Sequence, residues 1–145
     1  MASREVVVTS TPKPFEQSVS VGPHAFIADE PAADGGADAG PNPYELLLAS
    51  LGVCTSMTLM LYAQRKKWPL ERVIVRLRHD RVHAEDCAKQ EDPTCRLEHI
   101  ERRIALAGTG LTAEHRARLK EIADRCPVHK TLTGKLDIRT QLVSP

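Results

Sequence analysis

The chain lacks a charge of one dominant sign. Its 20 Lys and Arg nearly balance 19 Asp and Glu, leaving a formal net charge of +1. A dedicated nucleic-acid binder usually carries a strongly basic face, so that class is disfavoured. The one basic cluster, Arg72, Arg76, Arg78 and Arg81, reads as the solvated face of a strand. The opening "MASREVVVTSTPKPF" has no cationic stretch followed by an apolar core and a small-residue cleavage site, so a cytoplasmic location is expected. Internal repeats, low-complexity tails, phosphate-cradling glycine loops, hydrolase nucleophile motifs and paired catalytic carboxylates are all missing at recognisable spacing.

Long apolar runs are also missing, with one exception. From Leu46 to Ala63 there is no charged residue, which touches the lower limit of about 17–18 residues for a membrane span. Ser50, Gly52, Thr55, Ser56 and Thr58 interrupt that run, and Glu45 and "QRKKW" flank it. It reads as a helix buried on most faces within protein.

What is present fits one domain over residues 1–145. Residues 4–9, 15–21 and "HAFIAD" read as strands, with Gly22-Pro23 as a turn. "EPAADGGADAGPNP" follows as a long loop. It ends in a helix start: Asn42 as N-cap, Pro43 at the first helical position, and Glu45 three residues after the cap. That helix runs to about Lys67 and stops at Pro69. "ERVIVRLRHDRVHA" alternates Val73, Val75 and Leu77 with charges, the pattern of a half-buried strand. "RLEHIERRIALAG" alternates Leu97, Ile100 and Ile104 less cleanly and is also expected as a strand. "LTAEHRARLKEIADRC" is a helix capped by Thr112, with Leu119, Ile122 and Ala123 as its apolar stripe. Pro127 breaks it and starts a short helical turn through "PVHKTL". "KLDIRTQLV" is expected as a last strand. The order β-β-β-α-β-β-α-β is α+β. So apolar a helix needs more cover than one short chain supplies, which predicts a homodimer.

Four cysteines in a reducing compartment point to redox or metal chemistry before structural disulfides. Cys54 lies inside the apolar helix and Cys126 at the junction with Pro127. If the second helix packs on the first, the two sulfurs could meet. His129 and Lys130 would add positive charge near Cys126, the surroundings that favour a thiolate. Buried structural cysteine is the competing reading. Cys87 and Cys95, with His79, His83 and His99, form a conceivable zinc set, but the gap in "CAKQEDPTC" exceeds the usual spacing. No metal is expected; a Cys87–Cys95 disulfide or two idle thiols are the other readings.

"NPYELLLASLGVCTSMTLMLYAQRKKWPLERVIV" followed by "IADRCPVHKTL" resembles the OsmC/Ohr family, the osmotically inducible protein C and organic hydroperoxide resistance proteins. "CPVHKTL" looks most like the less-studied branch of that family. The resemblance implies an OsmC-like fold, an intertwined homodimer with two central helices packed between antiparallel sheets. It implies a thiol peroxidase acting on organic hydroperoxides without cofactor. Cys54 would be peroxidatic and Cys126 would resolve its sulfenic acid as a disulfide. A small dithiol or lipoylated protein would reduce that bond. Glu45 is the candidate third catalytic residue, and Tyr44, Met57 and His129 are the candidate substrate contacts. The family's glutamate directly follows the proline, where this chain has Tyr44. Its N-terminal-loop arginine has no counterpart between Phe15 and Asn42. Asp29 and Glu30 stand in that region instead, His24 reads as a strand-end surface residue, and Arg65 or Arg125 are the candidate replacements. The alternative is a module of the same fold that binds a small apolar ligand or thiol, with vestigial chemistry.

Overall fold

In a computed structural model, residues 3–81 and 98–145 are described. The chain groups into two compact units, Met1–Leu48 and Ala49–Pro145. In the first, β1 (Val6–Ser10), β2 (Gln17–Val21) and β3 (His24–Ala28) form an antiparallel sheet in that order. Their β-branched residues suit a pleated surface. Gly22 turns β2 into β3 with φ of 54°, a left-handed conformation that glycine adopts at little cost.

The loop after β3 is folded around one carboxylate. Asp29 is buried, and its oxygens accept N–H bonds from Glu30 (2.8 Å), Ala37 (3.0 Å) and Ala39 (3.2 Å). Burial pushes this carboxyl up. The amides of Ala39, Glu30 and Ala37 and the charge of Lys13 push it down by more, so it sits below its ordinary value. Gly36 and Gly40 make the wrap possible: a Cβ would overlap the carbonyl oxygen of Glu30 at the first and of Ile27 at the second. The loop ends at the expected cap. Asn42 Oδ1 accepts the Glu45 N–H at 2.9 Å, and Glu45 Oε2 accepts the Asn42 N–H at 2.8 Å.

That cap opens α1 (Pro43–Lys66). Lys67, with φ of 57°, takes the left-handed turn that ends it, and Trp68 N–H reaches back to the Ala63 carbonyl at 2.9 Å. β4 (Arg72–Arg81) and β5 (Glu98–Ala107) pair antiparallel, with Leu77 opposite Arg102 and Val75 opposite Ile104. α2 (Ala113–Ala123) starts on Thr112, whose Oγ1 accepts the His115 N–H while His115 Nδ1 accepts the Thr112 N–H. α3 (Pro127–Thr133) follows, with Pro127 at its first position.

The second unit packs around Leu59, Ala63, Leu119, Ile122 and Ala123, with Trp68, Val73, Ile104 and Leu106 against them. Leu59 and Leu119 are fully buried. At Gly52 the helix comes so close to β4 that a Cβ would meet Leu77 Cδ1 at 2.8 Å.

One expectation changes, at the C-terminus. α1 is covered by the single chain along one stripe only, in line with the need for further cover. Its buried residues are Leu51, Gly52, Thr55, Leu59 and Ala63, one stripe at helical spacing, while Val53, Met57, Met60 and Leu61 stay exposed. By length and composition α1 could cross a membrane, a test that the core helix of a soluble protein also passes. The last strand is not formed. Residues 135–145 carry no strand, and Leu136, Ile138, Leu142 and Val143 are exposed. Alternation alone cannot make a strand, which needs a neighbouring edge to bond.

Candidate functional site: a buried thiol, a threonine and an arginine

Three elements of the second unit converge on Cys126. α1 supplies Thr55, β5 supplies Arg102, and the α2–α3 junction supplies Asp124, Cys126 and His129. Cys126 is fully buried and is the N-cap of α3. Its sulfur accepts the His129 N–H at 3.3 Å. The same sulfur lies 3.8 Å from Thr55 Oγ1, across 71 positions of sequence. Thr55 follows Cys54 directly, so Cys126 reaches the turn of α1 that carries the other cysteine. Both thiols are free, with Cys126 buried and Cys54 half-buried.

Arg102 ties the group together. Its Nη1 donates to Thr55 Oγ1 at 2.9 Å, and its Nη2 donates to Asp124 Oδ1 at 2.7 Å. Nη2 also lies 3.2 Å from His129 Nδ1. A guanidinium has only donors, so Nδ1 is the acceptor there and the imidazole hydrogen belongs on Nε2. The Arg102 side chain is only 11% exposed, which limits solvent screening of its charge.

The predicted site residues divide. Cys54, Cys126 and His129 fall on or beside this cluster. Glu45 is held in the α1 capping box. Tyr44 and Met57 are exposed on α1 at 42% and 67%. Arg65, Arg125 and His24 are exposed. Asp29 spends its oxygens on its own loop. His79 pairs with Glu98, and His99 is exposed on β5. Cys87, Cys95 and His83 lie outside the described residues, among which no three metal-ligating side chains gather.

Thr55 and Arg102 were not singled out from sequence. A signal for Arg102 existed. Ile100, Arg102, Ile104 and Leu106 alternate along β5 as its less exposed side, which places one arginine on the inward face of a strand. Beside that arginine lies a cavity of about 490 Å³ lined by Leu59, Ile104, Leu106, Leu119, Arg116 and Lys120.

The model of the OsmC-like protein family matches residues 35–141. Among solved structures, an OsmC-like protein from Mycoplasma pneumoniae superposes with a TM-score of 0.72 at 17% identity, covering 92% of this chain and 89% of that one. An OsmC-like protein of unknown function from Vibrio cholerae gives 0.69 at 12% identity, covering 92% and 95%. The organic hydroperoxide resistance protein of Bacillus subtilis gives 0.61 at 18% identity, covering 94% of each. No curated protein sequence matches significantly. With most of its length under the family model and the same α+β architecture in these structures, the chain belongs to the OsmC-like family.

Proposed function

We propose that the protein is a cysteine-based peroxidase that reduces organic hydroperoxides. The Cys54 thiolate attacks the peroxide O–O bond, releases the alcohol and becomes a sulfenic acid. The Cys126 thiolate then attacks that sulfur, expelling hydroxide that leaves as water, and a Cys54–Cys126 disulfide results. A small dithiol or lipoylated protein restores both thiols by exchange. The observation that carries this reading is the approach of Cys126 to Thr55, the neighbour of Cys54, from a distant part of the chain. The structural neighbours that are organic hydroperoxide resistance proteins support the substrate class.

The working unit is a homodimer in a reducing cytoplasm. Val53, Met57, Met60 and Leu61 on α1, and Leu136, Ile138, Leu142 and Val143 at the C-terminus, are exposed apolar residues that a second copy would cover. Met57 and His129 contact the substrate in this scheme. No cofactor or metal takes part.

Reduced protein given one equivalent of cumene hydroperoxide tests the scheme, with peptide mapping to find the linked cysteines. Rapid, stoichiometric Cys54–Cys126 bonding is the expected result. Two thiols that stay free, or pairing confined to Cys87 and Cys95, would refute it. The apolar cavity beside Arg102 favours a second reading, a binding module for a small apolar ligand, which such a result would bring forward.

A further inference from the structure

Arg102 is linked to Cys126 through one hydroxyl, that of Thr55. Thr55 has one hydroxyl hydrogen, and it points to the Leu51 carbonyl at 2.7 Å. Its oxygen receives the Arg102 Nη1–H, and Cys126 Sγ lies against that same oxygen. If Cys126 carries a negative charge, the hydroxyl can turn its hydrogen to the sulfur. The Leu51 carbonyl then keeps the backbone N–H that the helix supplies, and Arg102 still donates to the oxygen. A cation thereby reaches the thiolate through one hydroxyl. The other charged or titratable groups of the cluster are Asp124, which takes the second guanidinium nitrogen at 2.7 Å, and His129, which accepts from Arg102 through Nδ1.

We propose that Arg102 is the positioning residue for Cys126, and that it makes Cys126 the leaving sulfur when the Cys54–Cys126 disulfide is reduced. The inference rests on the disulfide of the proposed function. Exchange is fastest when the departing thiolate is the better stabilised one and the attacked sulfur is the accessible one. Cys54 is the half-buried member of the pair, and Cys126 is the fully buried member, linked to Arg102 through Thr55 Oγ1. The incoming thiolate therefore bonds to Cys54 Sγ. The S–S bond breaks, its electron pair stays on Cys126, and Thr55 with Arg102 holds that charge. A second thiolate of the same reductant then attacks the mixed disulfide. The reductant leaves as a cyclic disulfide and Cys54 departs as thiolate.

Diamide forms the disulfide without peroxide, so the experiment is separable from peroxidase activity. The protein would carry Cys87→Ser and Cys95→Ser, be oxidised with diamide, and be reduced with 2-mercaptoethanol under acid quench. The expected adduct is on Cys54 with Cys126 free. Arg102→Met is expected to slow dithiothreitol reduction by about three- to tenfold and to spread adducts over both cysteines. Arg102→Lys should recover most of the rate. With Cys54→Ser added, the 240 nm thiolate absorbance of Cys126 should rise at higher pH in Arg102→Met than in its parent, a shift that a merely structural role would not produce. An adduct mainly on Cys126 in the parent protein overturns the proposal, whether or not the variants fold. So does unchanged reduction in a folded Arg102→Met protein, or the failure of diamide to join the two cysteines. Loss of hydroperoxide reduction with the Cys54 adduct intact would instead count against the peroxidase reading alone.

Discussion

Thr55→Val is the most informative single substitution, because it keeps the shape of the side chain and removes one hydroxyl. Thr55 is fully buried, so valine fills the same space and the transfer and cavity contributions nearly cancel. What changes is the hydrogen bonding. The Leu51 carbonyl loses a second donor and keeps its helical one, which costs little. Arg102 Nη1 loses its acceptor on a side chain that is only 11% exposed, and a hydrogen bond to a charged group is worth about 1.5–3 kcal/mol. The weak contact to Cys126 at 3.8 Å adds little. A loss of about 2 kcal/mol is therefore expected. For a chain of this length that lowers Tm by roughly 5–10 °C. Urea unfolding at one fixed protein concentration would measure it, since association shifts apparent stability. Thr55→Ser separates the hydroxyl from the methyl, and a double-mutant cycle with Arg102→Met isolates the pair. Coupling near zero, or a Thr55→Val protein within about 0.5 kcal/mol of the parent, would show that the Arg102–Thr55 bond does not hold the site together.

The remaining predictions concern the loop and the end of α1. Asp29 has a lowered carboxyl, so its contribution to folding is complete above the unfolded value of about 3.9 and is lost as the pH falls through the lower folded value. Protection of the Ala37 and Ala39 amides, taken relative to the intrinsic exchange rate at each pH, should accordingly hold at mildly acidic pH and fall only below about pH 4, and Asp29→Asn should abolish that pH dependence; protection already lost at near-neutral pH would contradict the carboxylate wrap. Lys67→Gly should raise stability by about 0.5–1 kcal/mol, because a non-glycine residue at φ of 57° carries a steric cost that glycine lacks. Denaturant unfolding would show it, and a destabilised Lys67→Gly protein would mean the turn is set otherwise.

The local structure was legible because local chemistry decides it. Asn42, Pro43 and Glu45 state the start of α1 whatever the rest of the chain does, and the capping box forms as expected. Pro127 separates α2 from α3 in the same way. Period-two alternation marks β4, and less cleanly β5, since successive side chains of a strand must point to opposite faces. Residue type and position single out Cys54, Cys126 and His129, and the resemblance supplies the roles proposed for them. For Asp29 the sequence offers only a carboxylate in a loop; its oxygens are taken up by backbone amides eight and ten residues on.

Three matters were left to the tertiary structure. "KLDIRTQLV" has the alternation of a strand but makes none in the single chain, because a strand's bonds belong to its neighbour as much as to itself. "ERRI" reads as part of a strand, but only the packing of β5 decides that Arg102 meets Thr55 and Asp124. Thr55 reads as an interruption in an apolar run until Arg102 and Cys126 arrive from 47 and 71 residues away. The sequence by itself determined where helices and strands begin, because caps, prolines and periodicity act within a few residues. Only the folded chain decided that Cys126 is linked to an arginine through the Thr55 hydroxyl, because that depends on contacts between residues that sequence order keeps far apart.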